Sequence, residues 1–290
     1  NDSLEAGIGI LSTALFDWSL ALATGSLLAG YWLRQRPEIR IPKIRSAAIL
    51  MAIALGVQFY HLVVSMTGQA GFGEVFAAAP LVATTHAGGV ALATLGVVVL
   101  LLLADLRKPL RTRSVFAVLV ALILAFHAAT GHAAVGGDFS RAELLQFLHL
   151  SGMALWTGGV IVSGFYVVPR LIASGGRADE AYLQSLSRVS TYSVAVVLLS
   201  GALKGWIGLE GHLSRLLHTG WGRILLAKLF FVALALALGW LHRRWIHQPE
   251  RGWTPQQAKT LMATLRVEAV CLTLVIALSA WLGSVDPSGS

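Results

Sequence analysis

Eight apolar segments, at roughly 7–33, 45–66, 81–104, 114–135, 143–168, 190–209, 222–246 and 260–283, divide this chain almost from end to end. Each is near the ~20 residues a helix needs to cross about 30 Å of hydrocarbon. In lipid every backbone polar group must be satisfied within its own segment or in a closed barrel. Segments of this kind therefore predict an all-α fold, a polytopic membrane bundle of about eight transmembrane helices. A composition of 56% hydrophobic and 12% charged residues, with mean hydropathy +0.72, agrees. The first segment is too long for a signal-peptide core and has no basic residue ahead of it, so it is expected to be a retained helix. No Pro-rich or low-complexity linker intervenes, and residues 1–290 are read as a single transmembrane domain.

A net charge of +8 would point to nucleic acid in a soluble chain, but here the basic residues alternate by loop. Arg34, Arg36, Arg40, Lys43 and Arg45 occupy the first connection. Arg107, Lys108, Arg111 and Arg113 occupy the third, Arg170, Arg177 and Arg188 the fifth, and Arg243, Arg244, Arg251 and Lys259 the seventh. The alternate connections hold only Arg141, Arg215 and Arg223. By the positive-inside rule both termini face outward, and the partner of this surface is the lipid bilayer, not nucleic acid. The single cysteine, Cys271, lies within an apolar segment, which leaves no disulfide framework and no CxxC pair.

Histidine placement is the least ordinary feature. The stretch Glu143–Arg170, ELLQFLHLSGMALWTGGVIVSGFYVVPR, holds His149 one to two turns inside an apolar span. On a helix Gln146, His149, Met153 and Trp156 form one stripe of polar, soft and aromatic groups. Gly152, Gly158, Gly159 and Gly164 let neighbouring helices approach closely. Taken alone, His149 reads as a structural histidine bonded to a neighbouring helix. The expected orientation changes the balance. His61, His86, His127, His132 and His149 fall in the outer parts of helices and His212 and His218 in an outward loop, which leaves only His242 and His247 on the inner side. Structural histidines have no reason to segregate in this way.

The stretch from His86 to Val97 also aligns with that from His149 to Val160 without a gap, matching His, Gly, Ala, Leu, Thr, Gly and Val. Each copy follows a helix with a histidine in its outer part, His61 or His127. This reads as a parallel helix-pair repeat; chance matching of small residues in apolar helices is the alternative. A true repeat would bring His61, His86, His127 and His149 to one depth.

Neutral imidazole ligates copper, zinc, iron and nickel, and thioether sulfur selects soft ions, Cu(I) above all. Met153 and Met66 are the candidate sulfur ligands, although methionine in an apolar helix usually packs. The belt has no carboxylate, which argues against Mg, Ca and Mn and leaves Zn open. His127 and His132 differ by about 140° around a helix, so both reach one ion only if the helix end unwinds near Gly131. Otherwise His132 serves a second, more exposed site with Asp138 or the loop histidines.

Charged residues inside apolar segments need partners. Asp17, Lys204, Lys228, Arg266 and Glu268 are such residues, with Asp17–Lys228 or Glu268–Lys228 as the expected pairs, either structural or on a proton or ion path. The sequence His242-Arg243-Arg244-Trp245 is read as an interfacial anchor. No Walker A loop, nucleophile elbow or HExxH motif occurs, so no enzymatic activity is expected.

The run Gly131-His132-Ala133-Ala134, then Leu148-His149 and Ala154-Leu155-Trp156-Thr157-Gly158-Gly159, resembles the CopD/PcoD family of bacterial copper-resistance inner-membrane proteins. Ser187-Arg188 through Ser200-Gly201, and Gly222-Arg223 through Lys228 to His242-Arg243-Arg244, continue the resemblance over about residues 127–246. Where that family commonly has asparagine before the paired arginines, this chain has His242. The resemblance implies a multi-pass inner-membrane protein that handles copper, as Cu(I) or Cu(II), on the periplasmic side, with a small periplasmic copper carrier as partner. It implies His132 and His149 as ligands, with Trp156 shaping the site. The expected function is copper transport, inward by preference. A b-type cytochrome with histidine-ligated haem and a copper docking or sensor protein that transports nothing are the competing readings.

Overall fold

The computed structural model describes residues 2–36, 38–68, 70–106, 113–130, 140–173, 180–209, 214–246 and 254–285. In chain order these form α1 (Asp2–Trp32), α2 (Ile44–Thr67), α3 (Phe72–Ala83), α4 (His86–Leu106), α5 (Arg113–Ala128) and α6 (Arg141–Val162). A π-helical turn (Ser163–Val167) leads into α7 (Val168–Ala173), followed by α8 (Glu180–Gly208), α9 (Arg215–His218), α10 (Gly220–Ile246) and α11 (Pro255–Gly283). Every regular element among the described residues is helical, and seven spans are long and apolar enough to cross a membrane. The polytopic helical bundle expected from the hydropathy pattern is the fold.

Several expected boundaries shift, α8 for one beginning at Glu180 rather than near 190. The segment at 81–104 is broken near its start: α3 ends at Ala83 and α4 begins at His86. Gly88 fixes this corner, because a Cβ there would fall 2.0 Å from the Val82 carbonyl oxygen, and its N–H bonds the Thr85 hydroxyl at 3.1 Å. The segment at 114–135 appears as α5, whose 16 residues reach about 24 Å at 1.5 Å per residue and fall short of the seven spans. Gly131, His132 and Asp138 lie outside the described residues, as do His212 and His247.

Elsewhere the boundaries follow local chemistry. Ser140 caps α6 by accepting from the Glu143 N–H at 3.2 Å. Thr254 and Gln257 close a capping box on α11, with Pro255 at its first position. Gly68 ends α2 at φ 69°, a left-handed conformation that glycine adopts without strain.

Helices α1 and α6 form the spine of the bundle. The apolar window of Arg141–Ala173 is 72% buried, against 17–44% for the other six spans. Helix α1 packs most extensively on α6 and also meets α2, α5 and α11. On one flank α2, α4 and α5 follow one another, and on the other α8, α10 and α11 do. The spine is tight because it is made of small residues. A Cβ on Gly158 would lie 1.9 Å from the Ala21 carbonyl oxygen, and one on Gly25 would lie 2.0 Å from that of Gly158. In lipid, where apolar burial between helices gains little, such backbone approach is what dispersion contacts can use. Large apolar side chains such as Leu199, Ile207 and Phe230 remain exposed on the outside, where lipid replaces water as their solvent.

After Val162 the π-helical turn interrupts α6, an irregularity that recurs at functional sites. It presents the Gly164 carbonyl to Arg266 Nε of α11 at 3.2 Å, and Arg266 lies over the Phe165 ring at 5.7 Å. This gives the buried-segment arginine its partners. The neighbouring Ser163 hydroxyl meets the Tyr182 hydroxyl of α8 at 2.7 Å.

Candidate functional site

Two groups of polar side chains lie along the spine. The first centres on His149, buried on α6. Its Nδ1 is 2.9 Å from Ser200 Oγ of α8, and that hydroxyl donates to the Val196 carbonyl at 2.6 Å. When its proton is so engaged, Ser200 can accept from an Nδ1–H of His149, the tautomer that keeps the ring's lone pair on Nε2. The glycine at 201 makes room for the ring: a Cβ there would meet Cε1 at 3.3 Å. One turn earlier on α6, Gln146 accepts a hydrogen bond from Lys204 Nζ. Lys228 on α10 lies within electrostatic reach of His149, Lys204 and Asp17.

Asp17 of α1 takes a different direct partner from the one expected. Its Oδ1 accepts from His127 Nε2 of α5 at 2.8 Å, both side chains being less than one-fifth exposed. The His127 ring also leans on Phe16, centroids 4.8 Å apart. Lys228 attracts Asp17 from farther off.

The second group centres on Glu268, 2% exposed on α11. Its Oε1 accepts from the Trp156 indole N–H of α6 at 3.1 Å, and its Oε2 lies 3.0 Å from His242 Nδ1 of α10. His242 Nε2 is 2.8 Å from Thr264 Oγ1, and that hydroxyl in turn donates to the Thr260 carbonyl at 2.9 Å. The expected Glu268–Lys228 pair is therefore replaced by a Trp156–Glu268–His242–Thr264 chain. His242 is correspondingly no interfacial anchor: it is 5% exposed, while Arg243 and Arg244, about 100° and 200° further around the helix, remain exposed. A signal for this pair was present, since a carboxylate inside one apolar helix and an imidazole on the preceding helix each need a partner.

A cavity of about 250 Å³ opens beside Glu268, bounded by α6, α8, α10 and α11. Trp156, His242 and Glu268 line it, with Ser187, Ser190 and Thr191 of α8 opposite. Ser187 is buried and its hydroxyl has no hydrogen-bond partner among the described residues.

The remaining candidates are dispersed. His61 lines a shallow hollow between α1 and α2 with Glu5, Ile8 and Tyr60, its ring edge-on to Tyr60 at 5.8 Å. His86 is exposed at the first residue of α4, and Met66 is 49% exposed near the end of α2. Met153 is half-buried between His149 and Trp156 on α6. Among the described residues no three His, Cys, Asp or Glu side chains stand close enough to share a metal ion. His149, His127, His86 and His61 thus do not converge on one point, and His132 lies outside the described residues.

The two flanks correspond to two known sequence families. Residues 4–141 match the model of the copper resistance protein D-like N-terminal domain, and residues 180–282 match that of copper resistance protein D. The chain is 31% identical over 125 residues to the copper transport protein CutJ of Bacillus subtilis (strain 168), which covers 41% of this chain and 22% of that protein. It is 25% identical over 197 residues to the copper resistance protein D of Pseudomonas syringae pv. tomato, 63% of this chain and 62% of that one. The matches span less than two thirds of either relative's length. No solved structure matches the chain. With both matched stretches on one α-helical bundle of seven membrane-length spans, this chain is a multi-pass membrane protein that belongs to the copper resistance protein D (CopD) family.

Proposed function

We propose that the protein transports copper, taking the ion from the outward, periplasmic side of the bacterial inner membrane and passing it inward along α6, and that residues 1–290 act as one transmembrane unit. The observation that carries this reading is the state of His149. Its Nδ1 is committed to Ser200, which orients the ring and leaves Nε2 as the nitrogen for a metal. Met153 and Trp156 follow on the same face of α6, so a soft ion leaving His149 meets a thioether and an aromatic wall before the cavity at Glu268. Asp17 and His127 form a carboxylate–imidazole pair of the kind that orients ligating histidines. His132 belongs with His149 as a ligand, while His86, His61 and Met66 serve as earlier, more exposed contacts for copper delivered by a small periplasmic carrier. The names of the relatives, copper transport protein and copper resistance protein, support the cargo.

The test is copper binding by the purified full chain, followed by movement of copper into sealed vesicles. The His149→Ala, His86→Ala double variant is expected to lose bound copper. Unchanged stoichiometry and affinity overturn the assignment, and binding without movement makes the protein a docking or sensing platform. One observation favours a second reading, a b-type cytochrome: Lys204 and Lys228 beside His149 suit a ligand that carries carboxylates, as haem does. A Soret band with stoichiometric iron in the purified protein would establish it in place of copper transport.

A further inference from the structure

We propose that the Trp156–Glu268–His242–Thr264 chain is a proton-binding site, loaded and emptied through the cavity beside it, and that its proton moves in exchange for the copper ion. The exchange rests on the transport reading; the proton site does not. The hydrogen-bond pattern supplies the argument. The heavy-atom distances fit two proton arrangements, and in the first Thr264 gives its hydroxyl proton to the Thr260 carbonyl and accepts from His242 Nε2 while Glu268 accepts from His242 Nδ1. Both ring nitrogens then carry protons, and the pair is an imidazolium beside a carboxylate. Loss of one proton breaks the Nε2–H bond and delivers H⁺ to the cavity that His242 lines. The neutral ring keeps Nδ1–H on Glu268, and the Thr264 hydroxyl rotates from the Thr260 carbonyl to Nε2. Two fully bonded arrangements thus differ by one proton and one hydroxyl rotation, with no helix moved.

The surroundings isolate this chemistry. On α10 Arg243 is committed to Thr191 Oγ1, and on α11 Arg266 is committed to the Gly164 carbonyl. Cys271, three residues further along α11, is a thiol within electrostatic reach of Glu268. From α8 Tyr182 is bonded to Ser163 and Arg188 is exposed, α6 contributes only the Trp156 N–H, and from α1 Asp17 is bonded to His127. Among the described residues His242 is thus the imidazole that Glu268 meets directly. The cavity gives the proton a route, and the unpartnered Ser187 hydroxyl on its wall calls for a polar occupant such as water. The site is also tied to the proposed copper ligand, because Trp156 lies two turns after His149 on the same face of α6.

Two measurements test the proposal on the full chain. Without copper, the pH dependence of the fluorescence owed to Trp156, taken as wild type minus Trp156→Phe, is expected to show a one-proton transition. Glu268→Gln and His242→Gln should abolish it, Thr264→Ser should keep it, and Thr264→Val should displace it. A flat wild-type signal, or a transition that survives Glu268→Gln, overturns the site. In vesicles that enclose a pH-sensitive dye, copper ion added outside is expected to drive about one proton out per ion carried in, and Glu268→Gln to lower that ratio at least tenfold. An unchanged ratio overturns the exchange. Absence of copper movement in the wild type overturns both the transport reading and the exchange, and the fluorescence still decides the proton site.

Discussion

The His149 group and the Glu268 group share α6 yet are built in opposite ways. Around His149 the bonds are separate pairs, His149–Ser200, Gln146–Lys204 and Asp17–His127, with Lys204 and Lys228 adding positive charge and several members only partly buried. Around Glu268 one continuous chain of bonds joins three helices, and both carboxylate oxygens are engaged. Separate pairs can open one at a time to admit an ion. A closed chain holds its geometry and changes only its protons. The contrast is one of wiring: each oxygen of the buried Glu268 carboxylate already meets a side-chain partner, whereas Asp17 meets His127 through a single oxygen.

The largest effect should come from removing the element that both groups share. Gly158→Ala places a methyl 1.9 Å from the Ala21 carbonyl oxygen, so α1 and α6 must separate. A loss of at least about 3 kcal/mol is expected, read as failure to recover monodisperse protein in detergent. Next, Glu268→Ala strands the Trp156 N–H and the His242 imidazole in a buried site and should cost about 3–5 kcal/mol in thermal or denaturant unfolding. Asp17→Asn, in the less deeply buried pair, should cost only about 0.5–1.5 kcal/mol. Equal losses for the last two would erase the distinction between the groups.

Ser200→Ala sharpens the comparison from the other side. It removes the hydroxyl that sets the His149 tautomer, so copper affinity should fall about 10–100-fold while the unfolding midpoint moves little. The smallest effect belongs to Gly201→Ala, whose methyl would press on His149 Cε1 at 3.3 Å. A shift of a few tenths of an ångström in the ring should lower copper affinity by less than about tenfold, within the 1.4 kcal/mol that a tenfold change represents.

The helical architecture was legible because spanning segments announce themselves by length and polarity. The corner at Thr84–Thr85 was not, because α3 is as apolar as the spans and only the Gly88 contact with the Val82 carbonyl reveals the turn. At the site, His149, Met153 and Trp156 were legible as a stripe because helix periodicity fixes their common face. Partners across helices were not. Asp17 was matched by charge to Lys228, whereas the direct partner is a histidine 110 residues away, and the choice depends on which helices pack together. His242 was assigned to the interface because Arg243 and Arg244 follow it, yet one residue turns the helix by about 100°, enough to face the core. The aligned His86 and His149 stretches also meet different neighbours: α4 begins at His86 itself, whereas α6 begins eight residues before His149.

The close approach of Gly25 to Gly158 bears on the order of assembly in the cell. Helix α1 enters the bilayer first among the described elements, but its backbone contact and the partner of Asp17 lie on α6 and α5. At about 5–20 residues per second, synthesis of the intervening 110 residues takes roughly 5–20 s. During that interval α1 carries an unpartnered carboxylate and a smooth glycine face through lipid. Its correct placement is thus a late event, completed only when the second half of the chain arrives to claim the first.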